Sequence, residues 1–128
     1  MTYSELTRRC FENAVCAGAA TGAGWFRGEA GSRAGGTWVQ FDVQLTETGG
    51  STIRSIRFLA FGCPHVIAVC QWLAEHAVGR PPDARLPESV HALRGRFQIP
   101  LEKLGRLLVV EDAWGAALRA AGARPPGD

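Results

Sequence analysis

Arg57-Phe58-Leu59-Ala60-Phe61-Gly62-Cys63-Pro64-His65 joins two kinds of periodicity. Up to Phe61 the chain alternates as a strand does, with Ile56, Phe58 and Ala60 on one face. After Pro64, the apolar residues Val66, Ile67, Val69, Cys70, Leu73, Ala74 and Ala77 recur at the spacing of a helix. Proline suits the first helical position because the N–H it lacks would be unpaired there anyway. Cys63 therefore falls at the N-cap, beside unpaired N–H groups and the positive end of the helix dipole. A thiol in that position is readily converted to a thiolate.

Working outward, Val39, Phe41, Val43 and Leu45 alternate with Trp38, Gln40, Asp42 and Gln44, which predicts a half-buried strand over Thr37–Leu45. The turn residues Thr48-Gly49-Gly50-Ser51 join it to Ile53–Phe61 as an antiparallel hairpin. Ala17 to Gly36 is rich in Gly and Ala, interrupted by Trp25-Phe26, and reads as a loop with at most a short edge strand. A capping-box pattern at Thr2-Tyr3-Ser4-Glu5 predicts a first helix from about Tyr3 to Val15, with Cys10 on its apolar face. The helix after Cys63 is expected to run to about Val78, before Gly79 and Pro81-Pro82. A linker with one short helix near Pro87–Leu93 follows, and Pro100 opens the last helix, carrying Leu101, Leu104, Leu108 and Leu118. The expected fold is α+β, a small antiparallel sheet of about three strands packed against helices. Residues 1–122 are expected to form one domain and 123–128 a disordered tail.

At 128 residues and 46% hydrophobic composition, the chain can build one core without disulfide staples. Its net charge is +2, and its basic residues are spread from Arg8 to Arg124 with no dense cluster or aromatic interleaving, which argues against nucleic-acid binding. No apolar run is long enough to cross a bilayer, and the N-terminus lacks the plan of a signal peptide, so a cytoplasmic protein with no membrane partner is expected. In that compartment Cys10, Cys16, Cys63 and Cys70 stay reduced, which leaves metal, sulfur chemistry or burial as their roles.

Four stretches taken in order, Tyr3-Ser4-Glu5, Phe11-Glu12-Asn13, Arg57 through Cys63, and Val110-Glu111-Asp112-Ala113, resemble the IscU/NifU N-terminal family of iron-sulfur cluster assembly scaffolds. The resemblance runs from about Tyr3 to Ala121 and implies a [2Fe-2S] cluster held by three cysteines and an Asp or His, with sulfur supplied by a cysteine desulfurase. It places the second family cysteine at Cys63. Where the family has a Cys-Gly-Asp motif this chain has Arg33-Ala34-Gly35, and where it has a His-Cys pair this chain has Gly105-Arg106. The chain thus resembles a degenerate member lacking two of three ligand cysteines. A guanidinium stays protonated and offers iron no lone pair, so Arg33 and Arg106 are not ligands. They are expected instead to flank Cys63 and lower its pKa.

These residues suggest a cluster assembly protein, not an enzyme, in which Cys63 accepts persulfide sulfur. Cys63 and His65 are the candidate ligands for iron or a cluster, in one chain or shared across a homodimer, and a protein that binds neither is equally compatible. Cys16 and Cys70 are the other thiols whose distance from Cys63 matters. The alternative is a non-catalytic module that docks on a desulfurase or another assembly partner. The family's chaperone-recognition segment corresponds to Ile99-Pro100-Leu101-Glu102-Lys103, where Pro100 and Lys103 match but Leu101 and Glu102 depart, so a chaperone is not among the expected partners. Glu111 is expected to pair with Arg106 or Arg33.

Overall fold

The computed structural model describes residues 3–46 and 51–122. The elements are helix α1 (Glu5–Glu12), strands β1 (Trp25–Ser32), β2 (Thr37–Leu45) and β3 (Ile53–Phe61), helices α2 (Pro64–His76) and α3 (Val90–Phe97), a 3-10 turn at Leu101–Lys103, and helix α4 (Leu104–Ala120). The three strands form one antiparallel sheet in the order β1-β2-β3, and the α+β class follows. The expected tail over 123–128 lies outside the described residues, as does most of the turn between β2 and β3.

One face of the sheet is the core. Val39, Phe41 and Val43 of β2 are fully buried, with Ile56 and Phe58 of β3 beside them in register. Burying each such side chain contributes about 2 kcal/mol. Helix α4 lies across β1 and β2, α2 lies against β3, and α1 packs on the outside of α2. Trp114 of α4 meets Phe41 edge to face at 5.4 Å, and its indole N–H donates to the carbonyls of Asp83 and Arg85, which fastens the proline-rich linker to the core.

The opposite face is covered too, so β2 is not half-buried as its alternation predicted. Asp42 is only 1% exposed. It accepts hydrogen bonds from Arg27 Nε and from the Ala20 amide, each at 2.8 Å, and its cross-strand neighbour Arg57 donates to the carbonyls of Val15 and Ala17. The segment after α1 therefore runs along the outer edge of β3, where the Phe58 amide donates to the Cys16 carbonyl and the Gly18 amide to the Phe58 carbonyl.

Three boundaries differ from the sequence expectation. Helix α1 is shorter at both ends than expected because Ser4 caps it by accepting from the Thr7 amide, and the chain turns off at Asn13; Thr2 lies outside the described residues. Helix α3 lies further along than expected, capped by Ser89. The largest difference is β1, a full eight-residue strand paired with β2 from Trp25↔Gln44 to Ser32↔Thr37. Its glycines suggested a loop, but Gly28 serves packing: a Cβ there would sit 2.0 Å from the Ala117 nitrogen and 2.5 Å from the Ala116 carbonyl carbon. The α4 backbone rests directly on β1.

Gly28→Ala forces backbone against backbone, where neither side can rotate away, and should cost about 3 kcal/mol or more in denaturant unfolding. Gly22→Ala, at φ +92° with nothing within 4 Å, should cost only about 1 kcal/mol. Equal losses at the two sites would show that the α4 contact is not what Gly28 serves.

Candidate functional site

Cys63 occupies the N-cap of α2 with extended backbone (φ −78°, ψ 168°) and Pro64 behind it in the first turn. Its carbonyl accepts the Val66 amide at 3.0 Å, and its half-buried thiol does not form a regular side-chain cap. Burial works to raise the Cys63 pKa. The Val66 N–H, a hydrogen bond from the Arg106 side chain, the His65 N–H and the Arg106 charge together outweigh it, so the thiol titrates below its usual value. Arg106 reaches the sulfur from the first turn of α4.

His65 is buried at 3% exposure, although a first-turn histidine is commonly exposed. Its ring stands edge-on to Tyr3 at 4.8 Å, and Nδ1 lies 3.4 Å from Lys103 Nζ. A lysine ammonium can only donate, so Nδ1 is the acceptor and the neutral ring carries its proton on Nε2. Burial first, then the charges of Lys103 and Arg106, depress the His65 pKa. The candidate ligand is therefore a neutral imidazole with Nδ1 already engaged.

Arg33 takes a different position from Arg106. Its guanidinium lies over the Trp38 ring at 5.5 Å and the Phe61 ring at 5.9 Å, and it is not among the groups that act on the Cys63 thiol. The other thiols are remote in function. Cys70 is wholly buried, and burial pushes its pKa far up; Cys10, 1% exposed, is raised by the same cause. Cys16 is held at the middle of α2, where Gln71 Oε1 accepts its amide at 2.9 Å and Gln71 Nε2 approaches its sulfur at 3.7 Å. Among the described residues Glu111 forms no ion pair with Arg106 or Arg33.

No group of three or more His, Cys, Asp or Glu side chains converges as a metal site among the described residues. The Cys63 thiol, the engaged His65 imidazole and the Arg106 guanidinium do not by themselves make the near-tetrahedral sulfur-rich set a cluster needs. Sequence reasoning found Cys63 and Arg106 but missed Lys103 as the partner of His65 and Gln71 as the anchor of Cys16. Gln71 left a usable signal, a glutamine inside the apolar run of α2.

The three-stranded antiparallel sheet under two long helices, with a cysteine at the N-cap position of the helix that leaves the third strand, is the fold of an iron-sulfur cluster assembly scaffold. The family model described as NifU-like N terminal domain matches residues 2–119, and the chain belongs to that family. Among solved structures, it is similar to one from the thermophile Fervidobacterium islandicum AW-1 named as an iron-sulfur cluster assembly scaffold protein for the SUF system. That likeness has a TM-score of 0.64 at 13% identity, over 91% of this chain and 96% of the other. No curated protein matches. No described helix is long and apolar enough to cross a membrane.

Two measurements follow. In Arg106→Gln the midpoint of Cys63 alkylation should move to higher pH, since a hydrogen bond and a positive charge that favour the thiolate are both removed; an unmoved midpoint would leave the helix N–H groups as the only cause. For His65, a folded pKa below the ordinary 6.5 means that the unfolded chain binds the proton first as pH falls. Stability should thus decline as pH drops through 6.5 and below, and His65→Gln should flatten that slope in denaturant titrations.

Proposed function

We propose that this chain serves iron-sulfur cluster assembly as a sulfur acceptor, with Cys63 taking persulfide sulfur from a cysteine desulfurase in the cytoplasm, and that it does not hold a complete cluster on its own residues. The observation that carries this reading is the Cys63 thiol, lowered in pKa and hydrogen-bonded to Arg106, at a place where no group of three or more His, Cys, Asp or Glu side chains converges among the described residues.

The step balances without an outside oxidant. Cys63 loses its proton to solvent, and the thiolate attacks the terminal sulfur of the donor's cysteine persulfide. A new S–S bond forms at Cys63 while the donor's S–S bond breaks, the donor cysteine leaves as thiolate, and the sulfane sulfur changes carrier with no net redox change. Arg106 and the amides of His65 and Val66 hold negative charge at the sulfur before and after transfer. His65 is held at the helix start by Tyr3 and Lys103; the Cys63 proton leaves to solvent, a loss that the lowered pKa favours. Iron, and a cluster as cargo, would require ligands from elsewhere, and sharing Cys63 and His65 between two chains would require His65 to leave the Tyr3 and Lys103 contacts that bury it.

Incubation with a cysteine desulfurase and cysteine, followed by persulfide labelling and mass spectrometry, should place one extra sulfur on Cys63 and none on Cys63→Ser. Anaerobic reconstitution with iron and sulfide should leave the wild type without a stable cluster. An unlabelled Cys63 would return the chain to the docking-module alternative, and a stoichiometric cluster lost in Cys63→Ser would make it a true scaffold.

A further inference from the structure

Among the described residues three arginines are matched with carboxylates, Arg27 with Asp42, Arg85 with Asp83 and Arg96 with Glu88, and none of these groups is among those that act on the Cys63 thiol. Arg33 is matched with aromatic rings instead. It stands in the exposed turn between β1 and β2, and its guanidinium covers Trp38, the second residue of β2, and Phe61, the last of β3. Phe61 is 46% exposed and lies two residues before Cys63. A guanidinium resting on ring faces keeps its charge and has its orientation fixed, while its in-plane N–H donors stay available to a planar acceptor. No carboxylate of the chain takes them among the described residues.

The geometry points to Arg33, Trp38 and Phe61 as the docking point for a carboxylate on the protein that delivers sulfur to Cys63. This rests on the sulfur-acceptor reading. The Cys63 thiol is half-buried, so a donor protein must bring its persulfide to the rim of the site, and Phe61 and the arginine above it form that rim. The occupant is an Asp- or Glu-bearing loop: a carboxylate accepts both N–H groups of the arginine fork, and the two rings shield the pair from water on one side. Arg106, at the thiol itself, adds a second positive charge of the same sign to the approach. The two positions at which this chain has arginine in place of a ligand cysteine thus separate into one that acts on the thiol and one that faces the partner.

The test compares two sulfur sources, a SUF-type cysteine desulfurase supplied with cysteine and inorganic polysulfide, with Arg33→Glu, Arg33→Lys and Arg54→Glu made in the full chain. Arg54, exposed at the start of β3, makes the same charge change at the far end of the sheet. The rate of persulfide formation on Cys63 from the desulfurase, divided by the rate from polysulfide, should fall about tenfold in Arg33→Glu and less in Arg33→Lys, which keeps the charge but loses the fork. In Arg54→Glu the ratio should change less than about twofold. An unchanged ratio in Arg33→Glu, or an equal fall in Arg54→Glu, overturns the docking point. Wild-type transfer from polysulfide but not from the desulfurase also overturns it while leaving the acceptor reading intact; transfer from neither source defeats the acceptor reading first.

Discussion

The approach of α4 to β1, with no side chain between the Gly28 backbone and the backbone of Ala116 and Ala117, fixes where everything on α4 can stand. Gly28, Phe41 and Phe58 form one row across the sheet. From Ala117 back to Arg106 the helix covers about 16 Å, at its rise of about 1.5 Å per residue. From Phe58 forward to Cys63 an extended chain covers nearly the same length, at about 3.3 Å per residue. Because α4 runs opposite to β3, anchoring Ala117 over the Gly28 row carries Arg106 to the level of Cys63. Val109 confirms the direction, since its side chain lies by Gly31, in the row of Trp38 and Phe61 nearest the thiol. A glycine in the middle of the sheet thus helps set an electrostatic contact at its end.

The same contact explains why β1 could not be read from the sequence while β2 and β3 could. Alternation reports a strand when large apolar side chains point inward, as Val39, Phe41 and Val43 do. On β1 the inward positions opposite Phe41 and Val39 are Gly28 and Ala30, which have to be small because a helix backbone occupies the space. Close packing removes the pattern by which packing is recognised. Cys63 was legible because proline and a change of period mark its position locally. The burial of His65 was not, since its cover comes from Tyr3 at one end of the chain and Lys103 far along it. Arg33 and Arg106 stood out together by family comparison, yet only the fold separates them, one to aromatic rings and the other to sulfur.

The fold and the surroundings of Cys63 rest on different residues. Pro64 at the start of α2, Gly28 under α4 and the buried middle of β2 from Val39 to Val43 build the fold of this chain. None of them depends on a thiol at position 33 or 106. The core is therefore packed by other residues than those at positions 33 and 106, where arginines stand exposed and half-buried at little cost to stability.

The positive charge beside Cys63 would affect the two directions of a persulfide transfer unequally. Lowering the pKa of Cys63 enlarges its thiolate fraction, but each step down also weakens the thiolate as a nucleophile, so the gain in accepting sulfur is partly offset. In the reverse step no such offset exists. When a persulfide on Cys63 is attacked at its outer sulfur, Cys63 is the leaving group, and a less basic thiolate leaves faster. The Arg106 guanidinium and the helix amides stabilise that departing charge as they stabilise the resting thiolate. For a scaffold that must retain sulfur while iron arrives, this is a disadvantage, and the neighbouring thiolates of a full ligand set would act against it by raising the pKa. With Arg106 beside the sulfur, a sulfane sulfur on Cys63 would be released more readily than kept.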